Sequence, residues 1–255
     1  MRVNDWNGRE IEGGRSRGRV LALARVQDGL IAVEPWPSSS ILQKLYQSRA
    51  VRSFDGEDLE MVTKHLGYYC DLQSVHSEDV ITYNFFGITS DRSVEVLNWL
   101  SNQLGLSGGD QVCEVSCWRR IPHPDTLVSG GPELDALLVG DKTVVMVEAK
   151  WKSGEGKGQG KSGKKTQLGL RNEWFAKYGR QVFGDRTMVV LGVSAYADDM
   201  ALPEPDAPWI NMEMVTWRDL TECDVHQHVD EYARYYRWKV QHSQWPKRKG
   251  PPDVE

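Results

Sequence analysis

The chain has 255 residues, 40% of them hydrophobic and 26% charged, and its 31 Lys and Arg against 36 Asp and Glu leave a formal net charge of −5. That suits one globular domain with additions, or two small ones, and excludes a globally basic nucleic-acid coat; any grip on phosphates must come from local patches. Four cysteines (Cys70, Cys113, Cys117, Cys223) without framework spacing, no secretory leader and no apolar run approaching ~18 residues predict reduced thiols, a cytoplasmic location and no membrane partner.

Residues 1–18 are rich in Gly and Arg with little periodicity and read as a mobile basic arm. Val20–Val26 and Leu30–Val33, joined through Gln27-Asp28-Gly29, read as a hairpin. Pro35 and Pro37 break the chain, and Ser38–Ser40 can cap a helix carrying Ile41, Leu42, Leu45 and Tyr46. Asp58–Tyr69, with Leu59, Val62 and Leu66 on one face, predicts a second helix. Ser77 caps another from Glu78 towards Phe86, and Ser90 or Asp91 caps the next, with Val94, Leu97, Leu100 and Leu104 at three- to four-residue spacing.

Gln111–Ile121 alternates as a strand until Pro122 and Pro124 end it. Two short apolar strands follow, Glu133–Val139 and Thr143–Lys150, the second rich in β-branched residues. A Gly/Lys-rich loop over Ser153–Gly163 leads to a helix from Thr166 to about Tyr178. Thr187–Ala195 reads as a buried strand, Ile210–Trp217 as another, and Asp224–Val240 as a final helix; the tail from Pro246 reads as disordered. The expected organisation is an N-terminal extension (1–75), an α/β core (76–245) with a mixed central sheet flanked by helices, and a disordered tail (246–255).

The hairpin at Glu133–Lys150 carries the chemistry. Either Asp141-Lys142 forms its turn, which puts Asp135 opposite Glu148, or Gly140-Asp141 does, with better type II′ chemistry, which puts the two on a diagonal of the same face. Both place the carboxylates roughly 5–8 Å apart. Lys150 shares that face about 6–7 Å further along. Two anions so close repel, and a divalent cation with oxygen ligands removes the conflict; Mg²⁺ is typically held by one or two carboxylates plus substrate phosphates.

A Glu-x-Lys triplet alone carries little weight, because a surface pair reads the same. Here Val145, Val147 and Ala149 cover one face while Val144 and Met146 continue the other. Glu148 and Lys150 therefore end an otherwise buried strand, where α/β sheets commonly place function. The loop sequence Gly160-Lys161-Ser162 sits between strand and helix but fits no phosphate-loop register. Cys113 with Cys117, and Cys223 with His226 and His228, lack a second half at zinc spacing.

Pro132-Glu133-Leu134-Asp135 followed by Glu148-Ala149-Lys150 resembles the two-part motif of the PD-(D/E)XK phosphodiesterase superfamily, the restriction-endonuclease-like fold. The αβββαβ order over roughly residues 77–220 is similar to its core. The resemblance implies that Asp135 and Glu148 bind Mg²⁺ (or Mn²⁺), with the carbonyl of Ala149 as a further ligand and Lys150 contacting the attacking water. Glu78 resembles an added acidic element seen in several branches, as an outer metal ligand or simply a helix-start acid. Gln167 is similar to a glutamine of RecB-like branches. The usual Pro-Asp pair is here separated by Glu133-Leu134, so Glu133 competes with Asp135 as ligand.

The activity so implied is metal-dependent hydrolysis of nucleic acid, with DNA favoured. The alternative is an inactive nuclease-fold module that binds nucleic acid or scaffolds a defence or repair complex. Lys152, Lys157, Lys161, Lys164 and Lys165 would neutralise phosphates, and Trp151 would stack on a base or cover the core edge. A homodimer or a larger complex stays open.

Overall fold

The computed structural model describes residues 1–15, 20–33, 36–47, 71–89, 91–106, 108–126, 130–152, 163–247 and 249–254. In chain order the elements are β1 (Arg2–Asn4), β2 (Glu10–Arg15), β3 (Leu21–Leu23), α1 (Ser39–Gln47), α2 (Glu78–Thr82), α3 (Ser93–Gln103), β4 (Cys113–Cys117), β5 (Ala136–Gly140), β6 (Thr143–Ala149), α4 (Gln167–Trp174), α5 (Arg180–Phe183), β7 (Thr187–Ser194), β8 (Ile210–Thr216) and α6 (Val229–His242). The expected helix at Asp58–Tyr69 lies outside the described residues, as does Ser90, one of the two proposed caps of α3. Among the described residues no helix is long and apolar enough to cross a membrane.

The chain divides into two compact units. Unit 1 takes residues 1–88 together with 228–255, and unit 2 takes 89–227. This differs from the sequence-based partition: the helix starting at Glu78 and the final helix both join the N-terminal region, so the α/β core is shorter than 76–245.

In unit 1 the predicted mobile arm is a hairpin, with β1, β2 and β3 forming an antiparallel sheet. Asp5 organises its turn: Oδ1 accepts the N–H groups of Asn7 and Arg9, both at 2.9 Å, and Gly8 supplies a φ of +79° that other residues rarely adopt. Trp6 packs edge-on against Tyr235 of α6, with ring centroids 4.9 Å apart, which fixes the hairpin despite its glycines. The hairpin expected within Val20–Val33 does not form. Leu21–Leu23 pairs with β2 instead, and residues 26–29 make a 3-10 turn held by buried Asp28, which accepts from Arg25 at 2.8 and 3.0 Å. The tail from Pro246 is ordered over its described residues: Pro246 O accepts from Lys249 and Gly250, and Tyr236 donates to Asp253 O at 3.1 Å. Helix α6 starts at Val229, five residues later than its expected start.

Unit 2 is a five-stranded mixed sheet in the order β4-β5-β6-β7-β8. The β4–β5 and β5–β6 pairs are antiparallel, and β6, β7 and β8 run parallel. Leu137, Val139, Val144 and Met146 pack against Leu168, Trp174 and Phe175 of α4 and its continuation. On the opposite face, Leu97 of α3 lies 2.7 Å from where a Cβ on Gly140 would stand. Helix α3 lies against β4 and β5 and α4 against β6 and β7, and all seven residues of β6 are buried. Burial on both faces is why β6 and β7 read as continuous apolar runs.

Candidate active site at the end of the central hairpin

Pairing of Ala136 with Val147 and of Val139 with Val144 fixes the register, leaving Asp141-Lys142 as the turn and bringing Asp135 alongside Glu148. Asp110 selects this turn over the Gly140-Asp141 alternative. Its Oδ1 accepts the N–H groups of Lys142 at 2.6 Å and Thr143 at 3.1 Å. Gly140 is demanded by the approach of Asp110 rather than by turn type, since a Cβ there would meet Oδ1 at 2.1 Å.

At the other end of the hairpin, Asp135 Oδ2 accepts Ala149 N–H at 2.6 Å, closing the ladder where strand pairing stops. Glu148, 1% exposed, points to the α4 side of the sheet. Lys150 Nζ donates to Glu148 Oε1 at 2.5 Å and to Ala149 O at 3.0 Å. The second carboxylate oxygen, Oε2, forms an ion pair with the guanidinium of Arg171. Arg171 is fully buried and also donates to Gln167 O at 2.9 Å and Glu133 O at 2.8 Å. The network is incompletely satisfied: neither Glu148 Oε2 nor Arg171 Nε has an aligned hydrogen-bond partner among the described residues. On the far flank Gly192 of β7 stands beside Glu148, and Met200 Cε lies 2.8 Å from the place of its missing Cβ.

Asp135, Glu148, Ala149 and Lys150 are therefore brought together, and Gln167 joins through its backbone carbonyl. Glu133 is placed differently from Asp135: its carboxylate pairs with Arg120 at 3.8 Å and its carbonyl accepts from Arg171 at 2.8 Å. Glu78 opens α2 in unit 1, where its charge and that of Asp79 act on Lys239; this fits the helix-start reading. Among the described residues no three His, Cys, Asp or Glu side chains converge to hold a metal.

The expected nucleic-acid contacts fare unevenly. Trp151 is fully buried, so it covers the core edge and offers no face to a base. Lys165 is committed to Asp125 at 2.8 Å and to Glu173, and these bonds raise its pKa. Lys152 is half-buried, and burial lowers its pKa. Lys164 is exposed, while Lys157 and Lys161 lie outside the described residues.

Arg171 is the member that sequence reasoning missed. Its signal was available: Leu168, Arg171 and Phe175 follow one another at helical spacing, so an arginine occupies an apolar stripe. Comparison of the chain with protein-family models, with curated proteins and with solved structures gave no match.

Proposed function

We propose that unit 2 is the catalytic domain of a metal-dependent nuclease of restriction-endonuclease-like fold, acting on nucleic acid with DNA favoured. The observation that carries this reading is the register that sets Asp135 beside Glu148 at the end of a buried hairpin, with Lys150 on the same strand end. The order α3-β4-β5-β6-α4-β7 supports it as an αβββαβ core.

The donor set fits a hard cation: two adjacent carboxylates, and a buried oxygen, Glu148 Oε2, without an aligned donor. Asp135 and Glu148 would hold Mg²⁺ or Mn²⁺, with the Ala149 carbonyl as a further candidate. When bound, the metal supplies Lewis acidity and lowers the pKa of coordinated water. Lys150 is restrained by Glu148 and Ala149 O, so its ammonium has a defined position from which to orient a water or meet charge developing on a phosphate. Arg171 fixes the Glu148 rotamer from beneath. Asp135 is half-buried whereas Glu148, Lys150 and Arg171 are buried, so among these four it is the one that an incoming phosphate would meet first.

A second reading has its own observation. Glu148 already touches two cations, which relieves the carboxylate repulsion that would otherwise call for a metal. On that reading the same fold binds nucleic acid without cutting it.

Incubation with supercoiled, linear and single-stranded DNA and with RNA, with Mg²⁺ or EDTA, separates the two. Wild type should cleave only with metal, and Asp135→Asn, Glu148→Gln and Lys150→Met should each lose cleavage while retaining the wild-type circular dichroism. Metal-independent cutting, or equal cutting by all four proteins, would remove the nuclease assignment. Retained binding without cleavage in wild type would select the second reading.

A further inference from the structure

We propose that Arg171 competes with a divalent cation for Glu148, so that the site takes up metal and a nucleic-acid phosphate together rather than metal alone. This rests on the reading of Asp135 and Glu148 as cation ligands. Asp135 and Glu148 carry two formal negative charges, and Lys150 and Arg171, both touching Glu148, carry two positive ones. The neighbouring Glu133 is likewise matched by Arg120 at 3.8 Å. A dication entering this neutral set gains little Coulomb energy and must share Glu148 with a guanidinium that is fully buried and anchored to two backbone carbonyls. A phosphodiester brings the missing negative charge. It also offers the ammonium of Lys150 an acceptor in place of Glu148 Oε1, freeing that oxygen for the metal. Binding coupled in this way is reciprocal: phosphate strengthens metal binding by the factor by which metal strengthens phosphate binding.

The test follows Mn²⁺ binding by loss of the free-ion electron paramagnetic resonance signal, with and without a phosphorothioate DNA duplex, and Asp135→Asn sets the background. Wild type should bind Mn²⁺ weakly alone and on the order of tenfold more tightly with the duplex, within the usual range of site-site coupling. Arg171→Gln should gain a similar factor without DNA and lose most of the coupling, and Arg171→Lys should restore wild-type behaviour. If Arg171→Gln fails to fold by circular dichroism, Lys150→Met removes the other cation and should tighten metal-only binding in the same direction. Equal Mn²⁺ affinity in wild type and the folded cation-removing variant, or no effect of the duplex on wild type, overturns the proposal. Cleavage without coupling would sink this inference alone; coupling without cleavage would sink the nuclease assignment alone.

Discussion

A methyl group added at Gly140 would lie 2.1 Å from Asp110 Oδ1 and 2.7 Å from Leu97 Cδ2. Asp110 cannot retreat cheaply, because the same oxygen holds the N–H groups of Lys142 and Thr143. Gly140→Ala is expected to cost about 1–3 kcal/mol by overpacking, seen as a lower urea midpoint at unchanged slope. A wild-type midpoint would show that the strand end gives way. In unit 1, Lys239 is fully buried, donates to Val75 O at 2.5 Å and Ser77 O at 2.8 Å, and is pushed down to about 7 by burial against the opposing pull of Glu78 and Asp79. The folded state therefore prefers the neutral amine. Below pH 7 both folded and unfolded chains carry the proton and the burial penalty is complete. Between about 7 and the ordinary lysine value near ~10.4 the unfolded chain binds more protons, so stability rises with pH. Urea unfolding at pH 6.5 and 9 should show that rise, and Lys239→Met should reduce it; an unchanged pH slope in the variant would assign it to other groups.

Helix α4 bears directly on the candidate site, because it carries Arg171 and supplies the Gln167 carbonyl. Thr166 starts it, its Oγ1 accepting Gly169 N–H at 3.0 Å. Thr166→Ala should destabilise the protein by about 1 kcal/mol. In the nuclease reading it should lower kcat more than it raises KM, since a frayed first turn loosens Arg171 on Glu148; an unaltered kcat with the expected loss of stability would confine Thr166 to a structural role. The strands around the site were legible because apolar runs of five to eight residues bounded by turn residues have few other solutions. Expected and observed limits of β6 and β7 agree within one residue at each end, and the two permitted registers both put Asp135 and Glu148 on one face. What the pattern did not disclose was which turn formed, because Asp110, some thirty residues away along the chain, decides it. Arg171 was hidden for a related reason: a buried arginine is interpretable only once its acceptors, Glu133 O and Glu148, are known to lie beneath it. The N-terminal hairpin was misread because its strands hold Gly and Arg, and the aromatic surface that stabilises it, Tyr235 and Trp238, lies more than 220 residues further on.

At the scale of the molecule, unit 2 is a continuous insertion into unit 1. Its five-stranded sheet, its register and one apolar cluster lie within residues 89–227. A polypeptide of those residues is accordingly expected to fold with a cooperative urea transition and a mixed α/β circular dichroism spectrum; a random-coil spectrum would show that the sheet depends on unit 1. Unit 1 has no such independence from chain order. Trp6 donates to Glu231 Oε1 at 3.1 Å, and Trp238 donates to Asn4 O at 2.8 Å, so its first and last segments complete each other. During synthesis the leading hairpin, complete at Arg15, waits while more than 200 further residues are made before its partner helix begins at Val229. At ordinary translation speeds of about 5–20 residues per second that delay is roughly 10–40 seconds. For that interval the Trp6 side of the nascent hairpin stays bare, a natural client for a chaperone until α6 arrives.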